Sequence, residues 1–478
     1  MSEKVMRRLT VAVVFEALSG ATPEAAEVAL TDAVVDSRAA GSGALFVALP
    51  GEKADGHDFV ADAFDRGALV ALIDREVKGD LRVVDLGRGA PPRLPETPFC
   101  IRVPKVLAAL QDVARAWRAQ MPARVIGITG SVGKSTTKEV TADLLERHYK
   151  TLRSPGNLNN EIGLPLSLLR LTDEHERAVL EMGFYVPGEI RLLCGIARPS
   201  VGVITNIGPV HLERAGTMEA IIAGKSELVE ALPPAPEGVA ILNRDDPNVF
   251  SMAGRTQARV FTYGLKPEAD LWADQIEGLG LDGVRFVIHH RKEAFHVRVP
   301  MLGRHSVHTA LRAAAVGLVE RLGWDEILAG LQTSQTQLRL VAVRGPRGAL
   351  LLDDTYNAAP ESVLAALNLL GELEGRRIAV LGDMLELGPQ EERGHRMVGA
   401  RAAEIADELV TVGSRARWMA EEAARAGMAA SHITLLESSN DAVKLLGDRI
   451  GSGDVVLIKG SRGMHMDEIV AALEESPT

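Results

Sequence analysis

A chain of 478 residues is longer than one hydrophobic core usually organises, so two or three domains are expected, each burying a core without help from disulfides. Only two cysteines, Cys100 and Cys194, argue against a disulfide framework or a thiolate-rich metal site and fit a reducing, cytoplasmic setting. With 53 basic and 64 acidic residues the formal charge is −11, which disfavours bulk attraction to nucleic acid or membrane but leaves room for local basic sites that bind phosphorylated small molecules.

In chain order, Lys4, Arg7 and Arg8 precede an apolar stretch from Val11 that Glu16 cuts short, well below the length of a secretory or membrane segment. It reads as the first strand or helix of a soluble domain. Up to about residue 100 the texture is compact and mixed, with apolar runs at 44–49 and 68–73 as short strands. The proline-rich stretch 91–95 reads as the connection into the next domain. From 101 to 333 the pattern predicts a helix over 105–119, then a strand at 125–129, a tight loop at 130–133 and a helix over 135–148. Strands at 178–180 and 201–205 with helices between them predict an α/β arrangement with a parallel sheet. The alternation over 256–300 predicts a smaller antiparallel element decorating that domain. From 334 to 478, strands at 350–354, 378–382, 408–413 and 454–460 with helices between them read as a second, smaller α/β domain.

The sharpest local signal is Thr129-Gly130-Ser131-Val132-Gly133-Lys134-Ser135-Thr136-Thr137. A polyphosphate needs backbone N–H donors at close range, which glycines permit, a mobile cation such as Lys134, and a hydroxyl such as Ser135 to reach its magnesium ion. The flanking strand and helix place a nest of amides and a helix N-terminus at one point. Ile128 stands where the common P-loop has its first glycine, so the local form is a shortened Gly-x-x-Gly-Lys-Ser.

Other groups carry weaker signals. Glu181 follows a strand, where α/β sites gather, and suits a hard cation directly or through water; a solvated surface glutamate is the plain alternative. Asn159 and Asn160, in Gly156-Asn157-Leu158-Asn159-Asn160, suit a substrate carboxylate or amide, though ordinary turn duty also explains them. His211 follows another strand and suits a metal or phosphate, or a packing role. Lys225 by itself reads as a surface lysine. Gly303-Arg304-His305-Ser306-Val307-His308-Thr309-Ala310 suits a nucleotide base, or a helix start capped by Ser306. For Arg339 and Asp354, mutual charge pairing is the plain alternative to a nucleotide role.

Together these motifs resemble the Mur ligases over essentially the whole chain. The resemblance is carried by Asp36-Ser37-Arg38 with the run 51–57, by 129–137, 157–163, 181–183, 187–190 and 205–213, and by 353–362, 381–388 and 459–463. It implies an α/β, three-domain architecture: an N-terminal UDP-sugar-binding domain (1–100), a central P-loop ATPase domain (101–333) and a C-terminal Rossmann-like domain (334–478) that closes over the nucleotide. It implies ATP contacts from Gly130, Ser131, Val132, Gly133, Lys134, Ser135, Thr136, Ser306, Thr309, Arg339 and Asp354, and a magnesium site of Ser135, Glu181 and His211. Ser37 and Arg38, with Gly56 and His57 as weaker neighbours, are implied to bind the UDP-sugar, and Tyr356 and Asn357 to belong to the same closing surface as Arg339 and Asp354; Tyr356 and Asn357, with Asn159 and Asn160, are further substrate-binding candidates. Lys225 falls where related enzymes carry a lysine that carbon dioxide carbamylates. Ser306 and Thr309 stand where the family commonly has two asparagines, and a hydroxyl cannot reproduce both functions of an amide.

The implied reaction joins D-alanyl-D-alanine to a UDP-N-acetylmuramoyl tripeptide through an acyl phosphate. The Asp-Thr-Tyr-Asn at 354–357, in place of the Asp-Asn-Pro-Arg of diaminopimelate-adding members, favours the dipeptide-adding branch. Lys134, Glu181, His211, Lys225 and Arg339 are the implied catalytic set, acting in a monomer without nucleic acid or stable membrane insertion. Another Mur ligase or a folylpolyglutamate-synthetase-like enzyme is the nearest alternative, and a slowly hydrolysing nucleotide-regulated scaffold is the alternative from a different class.

Overall fold

The computed structural model describes residues 7–51, 54–210, 212–333 and 341–474. Three sheets follow one another along the chain. The first comprises β1 (Ala33–Val34), β2 (Leu45–Val47), β3 (Val70–Ile73), β4 (Val83–Asp85) and β5 (Phe99–Arg102), all parallel, in the order β1-β2-β3-β5-β4. The apolar stretch from Val11 is a helix, Val11–Ser19, capped by Thr10. The stretch 91–95 is not the way out of this unit: Leu94 is buried, Arg93 bridges to Glu24, and the chain then returns to the first sheet as β5. Prolines disrupt a ladder wherever they stand, so their presence marks a loop without saying which side of a domain boundary it lies on.

The central sheet has nine strands: β6 (Arg124–Thr129), β7 (Thr151–Arg153), β8 (Arg177–Glu181), β9 (Val201–Ile204), β10 (Val239–Asn243), β11 (Arg259–Gly264), β12 (Leu271–Gly278), β13 (Val284–His290) and β14 (Glu293–Val299). Their order is β14-β13-β12-β11-β10-β9-β6-β8-β7. The predicted antiparallel decoration is therefore no separate element. β11 and β12 join in parallel, and β13 and β14 then run antiparallel as the edge of the same sheet. The third sheet holds β15 (Val341–Arg344), β16 (Leu350–Asp353), β17 (Arg376–Gly382), β18 (Glu408–Val412), β19 (Ile433–Leu436) and β20 (Asp454–Lys459), ordered β15-β16-β20-β17-β18-β19 with only β15 antiparallel. Sequence reading passes over β15, whose side chains are mostly exposed, and β19, which is only half buried, because neither carries a strong apolar run.

Apolar burial explains how the first two units hold together. The helix Val106–Gln120 buries Val106, Ala109, Leu110, Val113, Ala114 and Trp117 at helical spacing, and the Trp117 indole N–H donates to Leu171 O at 3.0 Å. Its apolar stripe belongs to a single core that contains both Leu45, Leu72 and Ile101 of the first sheet and Val125, Ala178 and Leu180 of the central one. On the opposite face of the central sheet, Gly317 in the helix Ser306–Val319 lets the phosphate-loop helix approach: a Cβ there would stand 3.0 Å from Leu144. Among the described residues no helix is long and apolar enough to cross a membrane.

Glu320, 3% exposed, caps the end of that Ser306–Val319 helix and receives Arg124 Nε at 2.8 Å and Arg177 Nε at 2.5 Å, tying it to the starts of β6 and β8. Glu320→Ala is expected to lower stability by about 2 kcal/mol, less than the ~3–5 of a fully enclosed pair because water reaches the arginines left behind. A fall in the urea midpoint with unchanged far-UV dichroism checks this.

Candidate active site

The three parallel strands β8, β6 and β9 lie side by side, so the residues just past their carboxyl ends meet. Past β6 comes Gly130, at φ 144°, where a Cβ would collide with Thr205 Oγ1 at 1.9 Å. Gly133, at φ 83°, turns the loop into the helix Lys134–Glu146. The neighbouring strand end pins the loop: Asn206 Oδ1 accepts from Val132 N–H at 2.8 Å, Thr205 Oγ1 donates to Val132 O at 2.7 Å, and Ser131 Oγ donates to Gly208 O at 3.0 Å. Lys134 Nζ curls back to the carbonyls of Gly130 and Ser131, at 3.0 and 3.1 Å.

Glu181, the last residue of β8, is 1% exposed. Its carboxylate accepts from Ser135 Oγ at 2.6 Å and from Asn159 Nδ2 at 2.8 Å. One hydroxyl and one carboxylate oxygen side by side at the phosphate loop suit magnesium, which keeps most of its shell for water and phosphate. Among the described residues no three His, Cys, Asp or Glu groups converge as a self-sufficient metal cage. Asn160 does turn duty instead: its Oδ1 accepts from Ile162 and Gly163 N–H at 3.2 and 2.8 Å. The 154–160 loop is held from below by Lys138, fully buried, whose Nζ donates to Ser154 O at 2.7 Å and Gly156 O at 2.9 Å.

Lys225 is not a surface lysine. It is 2% exposed on the helix Met218–Glu230, and its Nζ donates to Gly130 O at 2.9 Å and lies 4.8 Å from the centre of the Phe184 ring. Burial first, and the charge of Lys134 second, hold its ammonium well below the ordinary lysine pKa of 10.5. Gly224 makes room for this packing, since a Cβ there would overlap the Phe184 ring.

Facing the phosphate loop across a cavity of about 340 Å³ is the C-terminal unit. Ser131 to Thr136, Ser306, Thr309, Asp354 and Asn357 all line this cavity, so those sequence-selected residues are brought together. Asp354 takes its ion pair from Lys459 Nζ, at 2.6 Å, and Lys459, 2% exposed, also donates to Asn357 O at 2.9 Å. Arg339 and His211 lie outside the described residues. Tyr356 is exposed and does not line the cavity. The two units also touch through Arg214 and Glu386, 3.6 Å apart, and through Gly388 packed on Glu213.

Ser37, Arg38, Gly56 and His57 lie elsewhere, in two short 3-10 helices, Ser37–Ala39 and Gly56–Phe59, beyond the carboxyl ends of β1 and β2. The Arg38 guanidinium is exposed and held by Asp36, whose carboxyl this bond pulls down to about 2. Gly56 packs on Leu49, where a Cβ would come within 2.7 Å of the carbonyl oxygen. His57 is buried with both ring nitrogens engaged: Nε2 accepts from Asp74 N–H at 3.2 Å, which leaves Nδ1 to donate to Asp55 at 2.7 Å. Its role here is to fasten the loop.

Sequence reasoning missed Asn206, Lys138, Arg312 and Lys459 as site residues. Lys138, among Thr136, Thr137 and Glu139, carried no signal, whereas Lys459 closes an otherwise apolar strand, a usable signal because a charged residue there is buried only with a partner. Arg312, in the helix Ser306–Val319, carries the same signal in an alanine-rich run.

Three family profiles match in order along the chain: the one described as Mur ligase family, catalytic domain, at residues 33–118, the Mur ligase middle domain at 128–317, and the Mur ligase, glutamate ligase domain at 338–462. The UDP-N-acetylmuramoyl-tripeptide--D-alanyl-D-alanine ligase of Bacillus subtilis is 34% identical over 481 residues, covering 99% of this chain and 100% of that protein. Among solved structures, MurF from Acinetobacter baumannii superposes with a TM-score of 0.83 at 30% identity, covering 98% of each chain. MurF ligase from Thermotoga maritima, solved in complex with ADP, gives 0.77 at 28% identity, covering 92% of this chain and 96% of that one. A likeness of this extent, carried in the same order by sequence and by fold, makes this chain a member of the Mur ligase family.

Proposed function

We propose that this chain is the ATP-dependent ligase that joins D-alanyl-D-alanine to UDP-N-acetylmuramoyl tripeptide, forming the UDP-N-acetylmuramoyl pentapeptide, ADP and phosphate for peptidoglycan precursor synthesis. The observation that carries the reading is the convergence of the phosphate loop, the Ser135–Glu181 pair and the buried Lys225 amine on adjacent strand ends, with Ser131 to Thr136 of that loop facing Asp354 and Lys459 across one cavity. The relatives that match over nearly the full chain bear that ligase's name, which supports the choice of substrates.

In the first step a carboxylate oxygen of the tripeptide attacks the γ-phosphorus of ATP, the new O–P bond forms, and ADP leaves. In the second, the amine of the dipeptide attacks the acyl carbon, gives up a proton, and phosphate departs with the bonding pair. Lys134 and the loop N–H groups offset the charge that gathers on the transferring oxygens. Ser135 and Glu181, with His211 as the resemblance implies, would hold magnesium, which when bound neutralises phosphate oxygens. Arg339 is assigned the role of a cation approaching the phosphates, and Asp354 that of the acid near the ribose. The lowered ammonium pKa gives Lys225 a nucleophilic amine, so its Nζ adds to carbon dioxide, loses a proton, and becomes a carboxylate beside the loop. Closing the cavity keeps water from the acyl phosphate.

The work divides among a UDP-sugar-binding unit ending with β5, a nucleotide-binding unit up to about 333, and a closing unit beyond it. The UDP-sugar contacts are assigned to Ser37 and the exposed Arg38. The two buried free thiols accord with a cytoplasmic, reducing setting. Phosphate release from magnesium and ATP is measured with each substrate alone and with both, while the product is followed by mass. Turnover only with both, giving the pentapeptide, is the expected result; validated protein giving no coupled product would send the assignment to another carboxylate and amine pair.

A further inference from the structure

The nucleotide cavity holds a cation that the phosphate loop does not account for. Arg312 lines the cavity beside Ser131 to Thr136 yet is only 4% exposed. Its guanidinium donates only to hydroxyls: Nε to Thr137 Oγ1 at 2.8 Å, Nη2 to Thr309 Oγ1 at 2.7 Å and Nη1 to the Tyr263 hydroxyl at 3.4 Å. Among the described residues no carboxylate comes within 4.0 Å of it. Buried arginines are normally matched by an anion, because a cation removed from water without a counter-charge is costly. Three hydroxyl acceptors orient this one without neutralising it, and a guanidinium has N–H groups to spare beyond those three bonds.

Its position says which anion completes it. A Cβ on Gly133 would stand 3.1 Å from Arg312 Nη2, so the guanidinium lies against the end of the phosphate loop, and its bond to Thr137 places it along the first turn of the following helix. Lys134 instead reaches back over the start of the loop, to Gly130 and Ser131. The two cations therefore bracket the loop from opposite ends. We propose that Arg312 is a second phosphate-binding cation of the nucleotide site, taking the phosphate nearest the nucleoside while Lys134 takes the outer ones. Thr309 and Ser306 fit this division: Thr309 Oγ1 accepts from Arg312, and Ser306 Oγ donates to Leu302 O at 2.5 Å. Where a pair of side-chain amides is common in the family, this chain presents an arginine positioned by a threonine.

The proposal rests on the nucleotide reading above, and its test separates the two. ADP, AMP and adenosine are titrated as competitors of a fluorescent ATP analogue against the wild-type chain, Arg312→Met and Arg312→Lys, and unfolding temperatures are recorded with and without ADP. Arg312→Met is expected to weaken ADP and AMP about 10- to 100-fold and adenosine hardly at all, since only the first two carry the phosphate that a charge-assisted bond would hold. Arg312→Lys restores much of that loss. Without nucleotide the Met variant unfolds at the same temperature as wild type or higher, because an unbalanced buried charge is gone, while the shift produced by ADP shrinks. Equal weakening of adenosine and ADP together with a lower ligand-free unfolding temperature would make Arg312 a structural prop and overturn the proposal. So would unchanged ADP affinity in a variant compared with a wild type that binds ADP. A wild-type chain that binds no adenine nucleotide at all overturns the nucleotide reading and this inference with it.

Discussion

Replacing Lys134 with methionine is expected to lower turnover about 10³-fold, roughly 4 kcal/mol of transition-state stabilisation, with the fold intact. The argument is one of asymmetry between the resting and reacting states. In the resting structure Lys134 Nζ donates to the carbonyls of Gly130 and Ser131, which belong to a loop already fixed by Asn206 and Thr205. Removing those bonds costs little stability. During transfer the same ammonium meets oxygens whose charge is growing, inside a closed cavity where water screens weakly, and nothing short of another cation replaces it. Steady-state phosphate release with both substrates gives the rate, and thermal unfolding shows that the variant is folded. A rate within about tenfold of wild type would mean that the lysine positions the loop and leaves charge compensation to other groups.

Lys225→Ala is expected to lower turnover about 10²-fold or more, with part of the activity restored by millimolar formate or acetate, since the truncated side chain leaves space for a small carboxylate beside Gly130. No recovery with either anion would count against the carbamate. The same residue predicts a pH effect on stability. Its native pKa lies well below the unfolded value of 10.5, so between the two the unfolded chain holds a proton that the folded chain does not. Stability therefore rises with pH across that window and falls as pH drops through it. Lys225→Met removes the titration. In buffer freed of carbon dioxide, the stability of wild type relative to this variant is expected to grow between pH 7 and pH 9, read from urea midpoints; a difference independent of pH would show that the native amine keeps its proton.

Much of the nucleotide half of the site was legible because its parts are contiguous. A strand, two glycines with positive φ, a lysine and a hydroxyl within one short segment make an amide nest wherever they fold, and the segment 129–137 does so. The alternation of strands and helices likewise gave the α/β class, since apolar runs and helical periodicity are local properties. The C-terminal strands at 378–382 and 408–413 fall within a residue or two of β17 and β18 for the same reason.

What the order of residues could not settle was decided by distance in space. Lys225 reads as a surface lysine until its helix is packed on the phosphate loop, where burial and Lys134 change its chemistry. Glu181 reads as one strand-end acid among many until Ser135 and Asn159, 46 and 22 residues away along the chain, are brought against it. Asp354 reads as one acid near a strand end until Lys459, 105 residues distant, is brought against it, because β16 and β20 are neighbours in the sheet. The strands from 271 to 299 have the same alternation whether they form a separate hairpin or the edge of the central sheet, and only the β11–β12 pairing chooses. By itself, then, the sequence determined the local machinery that backbone geometry and periodicity dictate, and with it the family. Tertiary packing decided which charges are buried, which carboxylates face which cations, and hence the protonation of Lys225 and the unbalanced charge of Arg312, because desolvation and Coulomb energy depend on neighbours that the chain supplies from far away.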